Sequence, residues 1–179
     1  MADVTDLYLQ APALHAAGER VLSTDEMTGS QALERQHPPI PRGPGRVERR
    51  EFEYIRHGTL TLIANFDVAQ GQVVAPSLGP TRPEEDFVAH IMRTVASAPK
   101  ATRWHFVMDN LNIHQSESLV RLVAKYAKLQ EALGQQDKRG ILQSMATRAA
   151  FLSEPTHGIV FHYKQHPRSS RQNCSLVSQ

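Results

Sequence analysis

At 179 residues, 40% hydrophobic and 21% charged, the chain is long enough to bury one real core and too short for two comfortable domains. No apolar run approaches the ~20 residues that cross a bilayer, and a single cysteine, Cys174, excludes an internal disulfide framework or a cysteine-cluster zinc site. The net charge of +2 is compatible with nucleic acid without demanding it.

Residues 1–19 predict a short amphipathic helix through Leu7, Leu9 and Leu14, stopped at Gly18, with no DNA-reading helix-turn-helix before it. The acidic start lacks the apolar core of a signal peptide, so a cytoplasmic location is expected. Residues 20–25 read as a short strand that ends in the acidic pair Asp25-Glu26. Between Arg35 and Arg56 an extended loop threads Arg42, Arg46, Arg49 and Arg50 through Pro38, Pro39, Pro41, Gly43, Pro44 and Gly45. Such a loop is either a solvated connection, its charge offset by Glu48, Glu51 and Glu53, or an arm that tracks phosphates.

Period-two alternation over residues 59–66 predicts a strand with Leu60, Leu62, Ala64 and Phe66 on one face, and Gly71 turns it into an antiparallel hairpin partner. Pro83 followed by Glu84, Glu85 and Asp86 opens a helix over about 83–98, because a first-turn proline and acids suit a helix N-terminus. Trp104-His-Phe-Val-Met108 is a short apolar run of the buried-strand kind and delivers Asp109 at its end. A helix over 116–129, a polar loop over 130–139, a helix through Ile141, Leu142, Met145, Ala149 and Leu152, and a strand over 158–163 complete the order. That order describes an α/β mixed sheet with helices on its faces, in a core of residues 1–163, followed by an irregular tail over 164–179.

Asp25 and Asp109 are the acids that strand ends would bring together. If their strands are neighbours, two hard oxygen donors converge where open α/β sheets place ligands, a donor set suited to Mg²⁺. Two such ions support in-line displacement at a phosphodiester. An aspartate after a strand is also a common turn former or helix cap. His57, His105, His157, His162 and His166 show no paired ligand spacing along the chain.

Ser23-Thr-Asp25-Glu26, Tyr54-Ile-Arg-His-Gly-Thr-Leu-Thr-Leu-Ile-Ala-Asn-Phe66 and Val107-Met-Asp109-Asn110-Leu-Asn-Ile-His114 resemble successive core motifs of DDE transposases from bacterial insertion sequences related to the Tc/mariner group. Ser144-Met-Ala-Thr-Arg-Ala-Ala-Phe-Leu-Ser153 and Ile159-Val-Phe-His-Tyr163 are similar to the segment before that family's last acidic motif. The resemblance implies a ribonuclease H-like fold, a Mg²⁺ or Mn²⁺ requirement, and DNA cleavage and strand transfer at transposon ends. It also implies that Asp25 and Asp109 are the first two catalytic acids and metal ligands. Asn110 and His114 match the Asp-Asn-x-x-x-His pattern as supporting residues, although His114 could equally cap the following helix.

The resemblance stops at Tyr163. The family continues through a Trp-Leu-Asn motif to a glutamate, whereas here Ser175 stands about where that acid belongs and no acid follows Glu154. Such an abrupt change is what a frameshift would produce, and reading the encoding DNA in its other frames tests this. Glu26 and Glu154 are poor substitutes, because Glu26 would point away from Asp25 along a strand. Three readings follow: an impaired transposase core, a non-catalytic remnant that binds DNA or a full-length transposase, and a ribonuclease H-like nuclease acting on another nucleic acid.

Overall fold

The computed structural model of the protein describes residues 4–50, 52–80, 83–129 and 147–164. Helix α1 (Val4–Ala16) leads into strand β1 (Glu19–Arg35), which turns back as β2 (Tyr54–Asp67) and again as β3 (Gln72–Gly79). Helix α2 (Glu84–Ser97), strand β4 (Arg103–Met108), helix α3 (Glu117–Tyr126), a short α4 (Arg148–Leu152) and strand β5 (Ile159–Tyr163) follow. The sheet has the order β3-β2-β1-β4-β5, antiparallel from β3 to β1 and parallel from β1 to β5. This is the ribonuclease H-like α/β arrangement expected from the sequence. The polar loop over 130–139, most of the helix predicted through Ile141, and the tail from 165, Ser175 included, lie outside the described residues.

Strand β4 carries the apolar Trp104, Phe106, Val107 and Met108 because both of its faces are covered there. On one face Trp104, Phe106 and Met108 join Leu22, Ile159 and Phe161 beneath Phe87, Ile91, Leu119, Val123 and Phe151 of α2, α3 and α4. On the other, Val21 and Val107 meet Leu7 and Ala11 of α1, while Leu9 faces solvent. With each fully buried large apolar side chain worth ~1.5–3 kcal/mol, the three-helix face carries most of the stability. At the entry to β5, Gly158 takes φ +75° and a Cβ there would lie 3.1 Å from the Tyr126 ring, so the position requires glycine. No helix among the described residues is long and apolar enough to cross a membrane.

The structure corrects the sequence reading in three places. Strand β1 does not end at the acidic pair; it is 17 residues long. Pairing with β4 stops at Ser23↔Val107, but β2 goes on pairing through Asp25↔Ala64 and Glu26↔Ile63 to Arg35↔Tyr54 and satisfies the backbone beyond.

The buried face of β2 is Thr61, Ile63, Asn65 and Asp67, not the face of Leu60 and Phe66, which are 46% and 45% exposed. Helix α2 packs there over hydrogen-bonded polar groups. The Thr24 hydroxyl donates to Asn65 Oδ1 at 2.7 Å, Asn65 Nδ2 donates to Thr94 Oγ1 at 2.7 Å, and the Thr94 hydroxyl donates to the His90 carbonyl at 2.9 Å. Buried polar groups are tolerated when satisfied in this way.

The third correction concerns the basic loop. Beyond Ser30 and Leu60 the strands β1 and β2 pair only with each other, forming an exposed ribbon. Bridges Ile40↔Arg49 and Gly43↔Arg46 extend it toward a tight turn, with Pro44 second and Gly45 third at φ +69°.

Candidate active site

Parallel pairing places the two aspartates level with each other. Asp25 and Asp109 each lie two residues past the last β1–β4 pair, Ser23↔Val107, on strands spaced ~4.8 Å apart. Alternation along β1 puts Asp25 on the side of Val21 and Glu26 on the side of Leu22, in the three-helix core. Each aspartate has one oxygen held by a backbone amide. Asp25 Oδ1 accepts from the Glu26 N–H at 2.8 Å, and Asp109 Oδ1 accepts from the Leu111 N–H at 3.1 Å. The Asp109 side chain is 57% exposed, so its carboxylate faces solvent at this edge.

After β4 the chain leaves the sheet through a 3-10 turn, Asn112–Gln115, which swings His114 back beneath Asp109. Its Nδ1 lies 2.8 Å from Asp109 Oδ1 and 3.1 Å from the Asp109 carbonyl, and its Nε2 lies 3.3 Å from Glu26 Oε1. The imidazole is 2% exposed, the Glu26 side chain 4%, and the Phe87 ring packs on the imidazole at 4.6 Å. Burial works against its positive charge. The hydrogen bonds to Glu26 and to the Asp109 carbonyl, with the charges of both carboxylates, outweigh that and hold His114 above the ordinary histidine value. The helix α3 cap is Ser116, whose Oγ accepts from the Leu119 N–H at 3.3 Å, so His114 is free of that duty.

Other predicted residues occupy different places. Asn110 donates to the Lys164 carbonyl at 3.3 Å and accepts from Gln115 at 3.2 Å, tying the turn to the end of β5. Glu154 is exposed and accepts from Thr156. Arg42, Arg46, Arg49 and Arg50 sit at the ribbon tip, Arg50 donating to Glu48 at 2.7 Å. The stretch of β1 from Asp25 to Arg35 alone spans about 30 Å at ~3.3 Å per residue, so the arginines are not brought to the acids.

One histidine pairing escaped the sequence. His105 Nδ1 and His162 Nε2 lie 3.1 Å apart on β4 and β5, with Glu19 Oε2 2.7 Å from His105 Nε2. Cross-strand neighbours like these leave no mark in linear spacing. Among the described residues no group of three or more histidine, cysteine, aspartate or glutamate side chains is arranged to hold a metal. Burial, and then the His105 charge, push His162 down to about 4.

A family model of the DDE superfamily endonucleases matches residues 20–170, most of the chain. The chain belongs to this family. No curated protein matches it. Among solved structures it is similar to the Mos1 mariner paired-end complex with Mn, at 17% identity and a TM-score of 0.43 over 68% of this chain and 37% of that one. It is also similar to the Mos1 transposase paired-end complex with the left transposon end, at 15% identity and a TM-score of 0.41 over 67% of this chain and 37% of that one. The chain therefore spans little more than a third of those proteins' length, and the family assignment rests on the match over 20–170.

Proposed function

We propose that the chain carries two acids of a transposase-type DNA endonuclease site, in which Asp25 and Asp109 hold a divalent cation, Mg²⁺ or Mn²⁺, and DNA at transposon ends is the substrate. The observation that supports this reading best is the level placement of the two carboxylates beyond Ser23↔Val107. Hard oxygens on neighbouring strands suit a cation that keeps several waters and binds through one or two carboxylates plus a phosphate. When bound, such a cation activates an attacking hydroxyl and stabilises the leaving oxygen of a phosphodiester.

The protein's own part is to bring the two carboxylates level by strand pairing and to anchor one oxygen of each with an amide donor. Glu26 lies in the opposite face, against His114, and takes no part in the cation's ligand set. At about 30 Å from Asp25 or beyond, the ribbon arginines would meet phosphates roughly one turn of B-DNA (~34 Å) away from the cut. Ser175 stands where the resemblance implies a third carboxylate, so cleavage by this chain should be weak. The same observation favours a second reading, in which the chain binds DNA or a full-length transposase of its cell's cytoplasm without cutting.

Nicking of supercoiled DNA in Mg²⁺ or Mn²⁺, comparing the parent with Asp25→Ala and Asp109→Ala, separates these readings. Metal-dependent nicking by the parent alone supports the endonuclease. DNA binding without nicking selects the second reading, and equal nicking by all three proteins defeats the assignment.

A further inference from the structure

Among the described residues, Asp109 receives its hydrogen bonds on Oδ1 and on its carbonyl, from Leu111 N–H and from His114. Oδ2 is left open on a carboxylate that is 57% exposed. An exposed aspartate with one such anchor would rotate among rotamers. A second donor from a group that cannot move stops the rotation.

His114 is such a group. Its ring is 2% exposed and packed on Phe87, its backbone N–H donates to the Leu111 carbonyl at 2.9 Å, and its backbone carbonyl accepts from the Tyr163 hydroxyl at 2.9 Å. Burial pushes the Tyr163 phenol above its ordinary value, so it stays neutral and keeps its proton to donate. On its far side the imidazole meets the buried Glu26 carboxylate. Glu26 is the neighbour of Asp25 on β1, just past the point where the β1–β4 hydrogen bonds stop at Ser23↔Val107. The line Glu26–His114–Asp109 therefore continues the link between the two strands beyond their backbone pairing, at the level of the two acids.

We propose that His114 is the positioning residue of this site: it clamps Asp109 through Oδ1, turning Oδ2 toward the position of the cation, with Glu26 as its buried counter-charge. This rests on the reading that Asp25 and Asp109 bind a divalent cation. Strand β1 then serves the site from both faces, Asp25 as a ligand and Glu26 as the anchor of the clamp on the other ligand.

The test is Mn²⁺ affinity of the full chain, followed by electron paramagnetic resonance of free Mn²⁺, with thermal unfolding alongside. His114→Asn keeps an N–H where Nδ1 was, His114→Gln keeps one where Nε2 was, and His114→Phe keeps the ring without either. Phe and Gln should weaken Mn²⁺ binding by about 10–100-fold and Asn by no more than about threefold, as expected for an outer group that orients a ligand. Parent-like affinity in folded Phe and Gln variants overturns the proposal. If the Phe variant does not fold, Asn binding more tightly than Gln supports the clamp, and equality or the reverse order overturns it. A parent that binds Mn²⁺ no better than Asp109→Ala defeats the metal reading itself. Loss in Asp109→Ala with indifference to His114 defeats the clamp alone.

Discussion

Glu26 and His114 meet at 3.3 Å across the interface between β1 and the turn after β4, with side chains 4% and 2% exposed. Breaking a buried ion pair by deleting one partner leaves an uncompensated charge, which costs about 3–5 kcal/mol. Glu26→Ala should therefore lose stability on that scale in urea denaturation. Glu26→Gln, which retains a hydrogen-bond acceptor, should lose about half as much. A loss below about 1 kcal/mol for Glu26→Ala would show that the pair contributes little.

The polar layer under α2 makes a separate prediction. Asn65 accepts from Thr24 and donates to Thr94 in a region with no solvent access. Asn65→Ala removes both partners' hydrogen bonds and opens a small cavity, for an expected loss of about 2–4 kcal/mol. Thr24→Val, which deletes one hydroxyl while keeping the shape, should cost less. The two losses should fall short of adding in the double variant, because the residues share a bond.

Two histidines set the acid side of the stability profile. Burial, and then the Arg93 charge, hold His90 down to about 4, and burial with the His105 charge does the same to His162. Unfolded histidine titrates near 6.5, so between pH 6.5 and about 4 the unfolded chain binds more protons. Stability should fall as pH is lowered through that window, by up to ~1.4 kcal/mol per pH unit for His90 and less for the partly exposed His162. His114, held above 6.5, is protonated in both states there and adds no slope. Its contribution is complete below 6.5 and is lost as pH rises through its folded value. Melting temperature from pH 4 to 7 measures this, and His162→Gln should flatten the curve.

At the ribbon tip, removing one arginine–phosphate interaction should reduce the slope of log affinity for DNA against log salt by about 0.9. Arg42→Ala, Arg46→Ala and Arg49→Ala should each do so. Arg50→Ala should do less, since Arg50 is engaged with Glu48. Fluorescence anisotropy across a potassium chloride series gives the slopes, and an unchanged slope in the combined variant would remove the arm from the DNA-binding surface.

Much of the fold was legible because local signals and tertiary packing agree in it. Pro83 with its three acids marked α2, and the short apolar run of β4 led to Asp109. Strand β1 was read short because what prolongs it is β2, a partner distant in sequence, while its own residues past Met27 lack an apolar face. Alternation in β2 was legible but its buried face was not, because that face includes Thr61 and Asn65, and Asn65 is tolerated there only once Thr24 and Thr94 are in place. At the candidate site, the neighbouring positions of Asp25 and Asp109 could be read from strand position. The contact of Glu26 with His114 could not, since it depends on a turn that brings His114 beneath β1.

Amide line broadening by Mn²⁺ in ¹H–¹⁵N spectra of the full chain tests most directly whether Asp25 and Asp109 share one cation. Resonances around Asp25 and around Asp109 should broaden together at the same Mn²⁺ concentration, and Asp109→Ala should abolish the effect at both. Broadening confined to one aspartate, or centred on the His105–His162 pair instead, would contradict a shared site.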